Sequence, residues 1–196
     1  MTPRTRAGRV VTVATISAAG LLAGCETGQS WFPSLGSDPQ RPPDEGMLTS
    51  ISHQRSVVEI DRTLDAWHDA AAHGDFDAYF ACMTDDAVFI GTDASERWVG
   101  KEFRAFAKPY FNGVEAWTYR PFERRIVLDP APDHRVAWFD EKLRNATYGE
   151  CRGSGVLVRE DDGRWRLAQY ALSFPVPNDL AKDITGQIRA FQGEGR

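Results

Sequence analysis

Residues 136–177 read VAWFDEKLRNATYGECRGSGVLVREDDGRWRLAQYALSFPVP. Three runs, 134–144, 147–159 and 164–174, are rich in aromatic and β-branched residues. Their separators, RNAT and EDDG, form turns, because Asn and Asp bond their own backbone and Gly accepts positive φ. Runs of this length broken by such turns pair as antiparallel neighbours. A fourth run, 116–129, joins through the turn-like DPAPD. Together they predict an antiparallel meander. Pro175 and Pro177 end it, since proline has no N–H for a ladder.

Upstream the period changes. Val57, Ile60, Leu64, Trp67 and Ala71 recur at three- and four-residue steps, which is one apolar face of a long helix. Gly74 is placed to end it, and Asp75 to cap a short second helix carrying Phe76, Tyr79, Phe80 and Met83. Thr84-Asp85-Asp86 reads as a turn, followed by a brief strand AVFI, a reversal near Gly91 and a short strand at Arg97-Trp98-Val99. Phe103, Phe106, Ala107, Tyr110 and Phe111 mark a third helix, which Pro109 should kink or end. Beyond the meander, Asn178 is placed to cap a last helix with Leu180, Ile184, Ile188 and Phe191 on one side. Helices segregated to one face of an antiparallel sheet make an α+β domain, expected over residues 49–192.

The N-terminus is a different material. Arg4, Arg6 and Arg9 are its only charges, and then 14 residues, Val10 to Ala23, run without any. A membrane span needs about 20 predominantly apolar residues, so residues 1–24 read as a secretory signal peptide. Leu22-Ala23-Gly24-Cys25 resembles the bacterial lipobox, which implies cleavage before Cys25 and lipid on its sulfur. Acyl chains hold by burying methylenes, each worth about 0.8 kcal/mol. Residues 25–48 contain a Pro-, Gly- and Ser-rich stretch without a period, the composition of a flexible linker. The expected location is the cell envelope, lipid-anchored on the extracytoplasmic face of a bacterial membrane.

Composition narrows the function classes. Hydrophobic residues make up 42 %, and eleven Phe and six Trp can fill a core. The formal net charge is −5 with no basic run in the body, which argues against a nucleic-acid partner. The histidines at 53, 68, 73 and 134 show no ligand spacing, so no metal and no cofactor is expected. Cys82 and Cys151 lie on a helix and a strand; pairing or two free thiols both remain open, because geometry decides.

Four words carry a resemblance to a known family: WHDAAAHGDFDAYFACMTDDAVFIGTD, RWVGKEFRAFAKPYF, VAWFDEKL and GSGVLVREDDGRWRLAQYALSFPVPNDLA. The chain resembles the SnoaL-like branch of the nuclear-transport-factor-2-like superfamily over about residues 55–185. The resemblance implies a cone-shaped, curved antiparallel sheet wrapped over three N-terminal helices. It implies a mostly apolar pocket and, in many relatives, a homodimer through the sheet's outer face. Catalytic members place carboxylic acids and a Tyr or similar donor on the inner face.

Candidate residues follow from strand alternation, since successive side chains point to opposite faces. Val136, Trp138, Asp140 and Lys142 form one row, and Ala137, Phe139, Glu141 and Leu143 the other. Glu141 is the carboxylate in the apolar row, and burial there would raise its pKa toward the general acid–base range. Asp140 is the second catalytic candidate, and the hairpin places it opposite Arg152, where a cross-strand ion pair is the plainer reading. In the last strand Gln169 and Tyr170 are pocket donors on opposite rows. Trp67, Tyr110 and Trp138 are candidates for the wall. Ala171 stands where family members often carry Asn or His, which removes one polar group. Two functions are consistent with this set. One is a non-catalytic module binding a small apolar ligand or a protein. The alternative is an isomerase or cyclase working by carboxylate proton transfer.

Overall fold

The computed structural model describes residues 45–193. The chain forms α1 (Glu45–Ala72), α2 (Phe76–Ala81), β1 (Met83–Ile90), β2 (Arg97–Val99), α3 (Lys101–Ala107), β3 (Arg120–Leu128), β4 (Val136–Asn145), β5 (Gly149–Arg159), β6 (Trp165–Ser173) and α4 (Asn178–Gln192). The six strands make one curved sheet in the order β2-β1-β6-β5-β4-β3. β3 to β6 are the expected meander, each antiparallel to the next. β1 returns parallel to β6, which places the N-terminal hairpin at the far edge of the sheet.

Local chemistry explains most boundaries. Asp75 caps α2 by accepting from the Ala78 amide at 2.9 Å, and Gly74 takes φ +62° to link the two helices. Between β3 and β4 the Asp129 carboxylate accepts from the amides of Ala131, Arg135 and Val136. Asn145 does the same at the β4–β5 turn, with the amides of Thr147 and Tyr148. Ahead of Pro109, α3 ends at Ala107 and passes into a 3-10 turn, Lys108–Tyr110.

Several expectations are corrected. The first helix begins at Glu45, inside the segment read as linker; Met47, Leu48 and Ile51 are exposed there, so these turns carry no core pattern to read. Thr84-Asp85-Asp86 is not a turn but an irregular part of β1, whose register with β6 shifts between Met83 and Val88. Asn178 is the first helical residue of α4, and Pro177 stands at its N-cap. The signal peptide, Cys25 and most of the linker lie outside the described residues.

The core fills the concave side. Ile60, Leu64 and Trp67 of α1, Tyr79 and Phe80 of α2, and Phe103 of α3 pack on Phe89, Phe139, Leu157, Leu167 and Tyr170 of the sheet. Much of this contact is aromatic: Phe89 stacks on Phe103 with centroids 4.3 Å apart, and Trp67 stacks on Tyr79 at 5.0 Å. Cys82 and Cys151 are free thiols, and burial pushes both up from the ordinary thiol value.

Candidate functional site

The inner row of β4 is Ala137, Phe139, Glu141 and Leu143, all buried. Glu141 is only 1 % exposed, and three side chains meet it. His68 Nε2 donates to its Oε1 at 2.7 Å, because an ionised carboxylate only accepts. The Tyr170 hydroxyl donates to the same oxygen at 3.2 Å. Arg124 Nε donates to Oε2 at 2.8 Å. The guanidinium continues outward to Asp61 at 2.6 Å and Asp65 at 2.9 Å. These two acids are four apart on α1, so they share a helix face, and Arg124 ties that face to β3.

Two glycines and a bulge make the room. Gly153 pairs with Glu141 across β4 and β5, and a Cβ there would collide with the Tyr170 hydroxyl and crowd Glu141 Oε1. Gly155 lies against the Gln169 carbonyl and the Phe139 ring in the same way. The β5–β6 register shifts between Val156 and Leu157. That irregularity lets Tyr170 face inward together with Trp165 and Leu167, where strict alternation puts them on opposite faces.

The electrostatics correct one expectation. Burial pushes the Glu141 carboxyl upward, but the hydrogen bond and charge of His68, with those of Arg124, outweigh it and hold the group below its ordinary value of 4.5. Glu141 is an ionised, paired carboxylate, not a desolvated acid. Arg124 is likewise buried yet held above its ordinary value by Glu141, Asp61 and Asp65. Burial first, and then Glu141, push the Tyr170 phenol well above the ordinary range, so it stays a donor.

The cone continues away from this cluster in two spaces. A narrow neck of about 20 Å³ lies between Trp67, His68, Tyr79, Trp117 and Tyr170, room for roughly one water by the usual cavity measure. In its wall the Tyr79 hydroxyl and Trp67 Nε1 are buried without a hydrogen-bond partner. Phe89, Trp117, Tyr119 and Leu172 line both the neck and a wider mouth of about 260 Å³. Trp98 and Phe106 stack in that mouth with centroids 4.1 Å apart. Tyr110, half exposed, closes one side against Phe106, and Tyr148 and Phe174 close another. Glu96 lies over Gly91 at the rim, and its Oε2 accepts from the Asp93 amide.

The structure divides the candidate residues. Tyr170 and Trp67 line the neck, Glu141 lies behind it against Tyr170 and His68, and Tyr110 lines the mouth. Asp140, Trp138, Arg152 and Gln169 sit exposed on the outer face. Asp140 pairs with Ser154, and Lys142 is the residue opposite Arg152, so the expected Asp140–Arg152 pair does not form. His68 and Arg124 escaped the sequence reading, although each carries a signal. His68 follows Ile60 and Leu64 at four-residue steps on an apolar helix face, and Arg124 shares the inner row of β3 with Ile126 and Leu128. Among the described residues no group of three or more His, Cys, Asp or Glu is placed to hold a metal ion.

A curved sheet over three helices, enclosing an aromatic cone with a buried carboxylate at its end, is the NTF2-like class of fold. Within that class the SnoaL-like domain matches residues 60–177, more than half of the chain, and the chain belongs to this family. An NTF2-like protein of unknown function from Pseudomonas putida KT2440 superposes with a TM-score of 0.52 at 14% identity, covering 64% of this chain and 91% of that one. A protein of unknown function from Mycobacterium tuberculosis gives 0.53 at 16%, covering 67% and 78%. A protein from Streptomyces avermitilis, named as a dehydratase of the NTF2-like family, gives 0.52 at 13%, covering 63% and 99%. At these identities the likeness establishes fold. The comparison with curated proteins finds no match.

Proposed function

We propose that the chain is a membrane-tethered lipoprotein whose SnoaL-like cone binds a small apolar ligand without transforming it. One observation carries this reading: both oxygens of the buried carboxylate behind the cone are already hydrogen-bonded, and Glu141 lines neither the neck nor the mouth. Glu141 Oε1 accepts from His68 and Tyr170, and Oε2 from Arg124. A general base must reach the proton it removes within hydrogen-bond distance or through one water. Here the neck admits about one water and the mouth holds the space for a ligand. The cluster therefore joins α1 to the sheet, and the aromatic mouth does the binding. Lipid at Cys25 keeps the domain at a bacterial membrane, and a second copy packs on the sheet's outer face.

The test uses N-phenyl-1-naphthylamine, an uncharged aryl probe whose fluorescence rises in apolar surroundings. The full chain should bind it saturably, near one per cone, and Leu172→Trp, which fills the wall shared by neck and mouth, should abolish the signal. Absence of saturable binding by the native chain would overturn the reading.

A second reading rests on His68, which lines the neck and is oriented by Glu141 at 2.7 Å. A carboxylate that orients an imidazole is a recurring acid–base arrangement. Deuterium uptake from heavy water beside the carbonyl of a small aryl ketone, catalysed by the native chain and lost in His68→Gln, would put this reading first.

A further inference from the structure

We infer that the apolar ligand of the cone carries a positive charge, and that the mouth is built for its cationic end, a small quaternary or alkylated ammonium group. This inference rests on the reading of the mouth as a binding site and specifies what it takes. The faces of aromatic rings carry negative charge density and attract a cation within about 6 Å of the ring centre, more strongly where water is excluded. The mouth is lined mainly by aromatic side chains in contact with one another. Trp98 and Phe106 stack at 4.1 Å, Phe106 meets Tyr110 at 5.5 Å, and Tyr110 meets Trp117 at 6.1 Å.

Charge completes the pattern. Among the described residues that line the mouth, Glu96 supplies a carboxylate and no Lys, Arg or His appears. Glu96 is held in position: its Oε2 accepts from the Asp93 amide at 3.1 Å, and its side chain lies over Gly91, where a Cβ would displace it. Its side chain lines the cavity. Tyr119 on the wall has its phenol pushed up to about 12 by burial first, with Cys151, Tyr148 and Glu96 adding to the shift. Arg120 and Arg144 lie in the neighbouring groove, behind Tyr119 and Tyr148. A purely apolar ligand would gain nothing from a carboxylate at the rim, and an anion would be repelled. An ammonium bearing methyl groups satisfies both the rings and the acid. Its volume need is modest, in keeping with a cavity of about 260 Å³.

The experiment compares three molecules of one shape on the full chain: choline, its uncharged isostere 3,3-dimethylbutan-1-ol, and 3,3-dimethylbutanoate. Quenching of tryptophan fluorescence reads binding, since Trp98 and Trp117 line the cavity. Choline should bind at least roughly tenfold more tightly than the alcohol, as expected of a desolvated cation–aromatic contact reinforced by a carboxylate. The carboxylate probe should be the weakest. Glu96→Gln, a change at the partly buried rim, should bring choline and the alcohol to within about threefold of each other. Equal binding of choline and the alcohol to the native chain overturns the cation inference and leaves a generic apolar pocket standing. Binding of N-phenyl-1-naphthylamine with no binding of choline has the same meaning. Failure of the naphthylamine as well removes the pocket reading itself. The isostere comparison needs no variant, so it holds even if Glu96→Gln folds poorly.

Discussion

Glu141 shows how one buried charge ties a helix to a sheet. Its carboxyl is held below 4.5 because His68 and Arg124 outweigh the burial that would raise it. A carboxyl that binds its proton less well in the folded chain than in the unfolded one stabilises the fold above about pH 4.5. That contribution fades as pH falls through the lower, folded value. Glu141→Gln should therefore destabilise the domain at pH 7 by about 3 kcal/mol, because one end of a buried pair is removed and an amide N–H2 is turned toward donors. Thermal melts from pH 3 to 8 check this: the gap between variant and native chain should be widest at neutral pH and narrow on the acid side. A variant that melts with the native chain at pH 7 would show the cluster to be inert. The sign is opposite to the one expected if Glu141 were simply desolvated. Strand alternation in VAWFDEKL was enough to turn Glu141 inward. The partners that set its charge state were not visible locally.

Among the elements, β3 and β4 present an unusual outer face. Val127 pairs with Trp138, and Trp138 with Val156. Val127, Val136 and Trp138 are 45%, 38% and 47% exposed. Adjacent rows are polar, with Arg125, Asp140 and Ser154 on one side. An apolar strip rimmed by polar residues suits a self-complementary contact between two copies. In sedimentation the native chain should run as a dimer and Trp138→Glu as a monomer of unchanged secondary structure; a monomeric native chain would refute the contact. The helix α4 behaves differently. Its Leu180, Ile188 and Phe191 are exposed and none of its residues is buried. A clear 3.6-residue pattern reports that a helix forms, while what it packs against depends on the rest of the fold. The irregularity in β6 makes the same point for strands, since one extra residue reverses which side Tyr170 faces.

For the whole molecule, the cone and the leader belong to different physical problems. The proposed lipid on Cys25 rests on the short apolar run and LAGC motif of the sequence alone: Cys25→Ser expressed in a bacterial host should lose fatty-acid labelling and leave the membrane fraction, and retained labelling would end the lipoprotein reading. The periods and turn residues between 57 and 192 were sufficient for the order of helices and strands and the four-strand meander, because each depends on contacts between near neighbours in the chain; the family came from the resemblance of four sequence words. The pocket is another matter. His68, Arg124 and Tyr170 reach Glu141 from 73, 17 and 29 positions away. The parallel return of β1 to β6 brings Phe89 against Tyr170, with centroids 5.7 Å apart. Those meetings, and the charge of the carboxylate they enclose, were decided by the tertiary structure alone. Electrostatic and packing energies depend on distance in space, and a linear pattern encodes distance only along the chain.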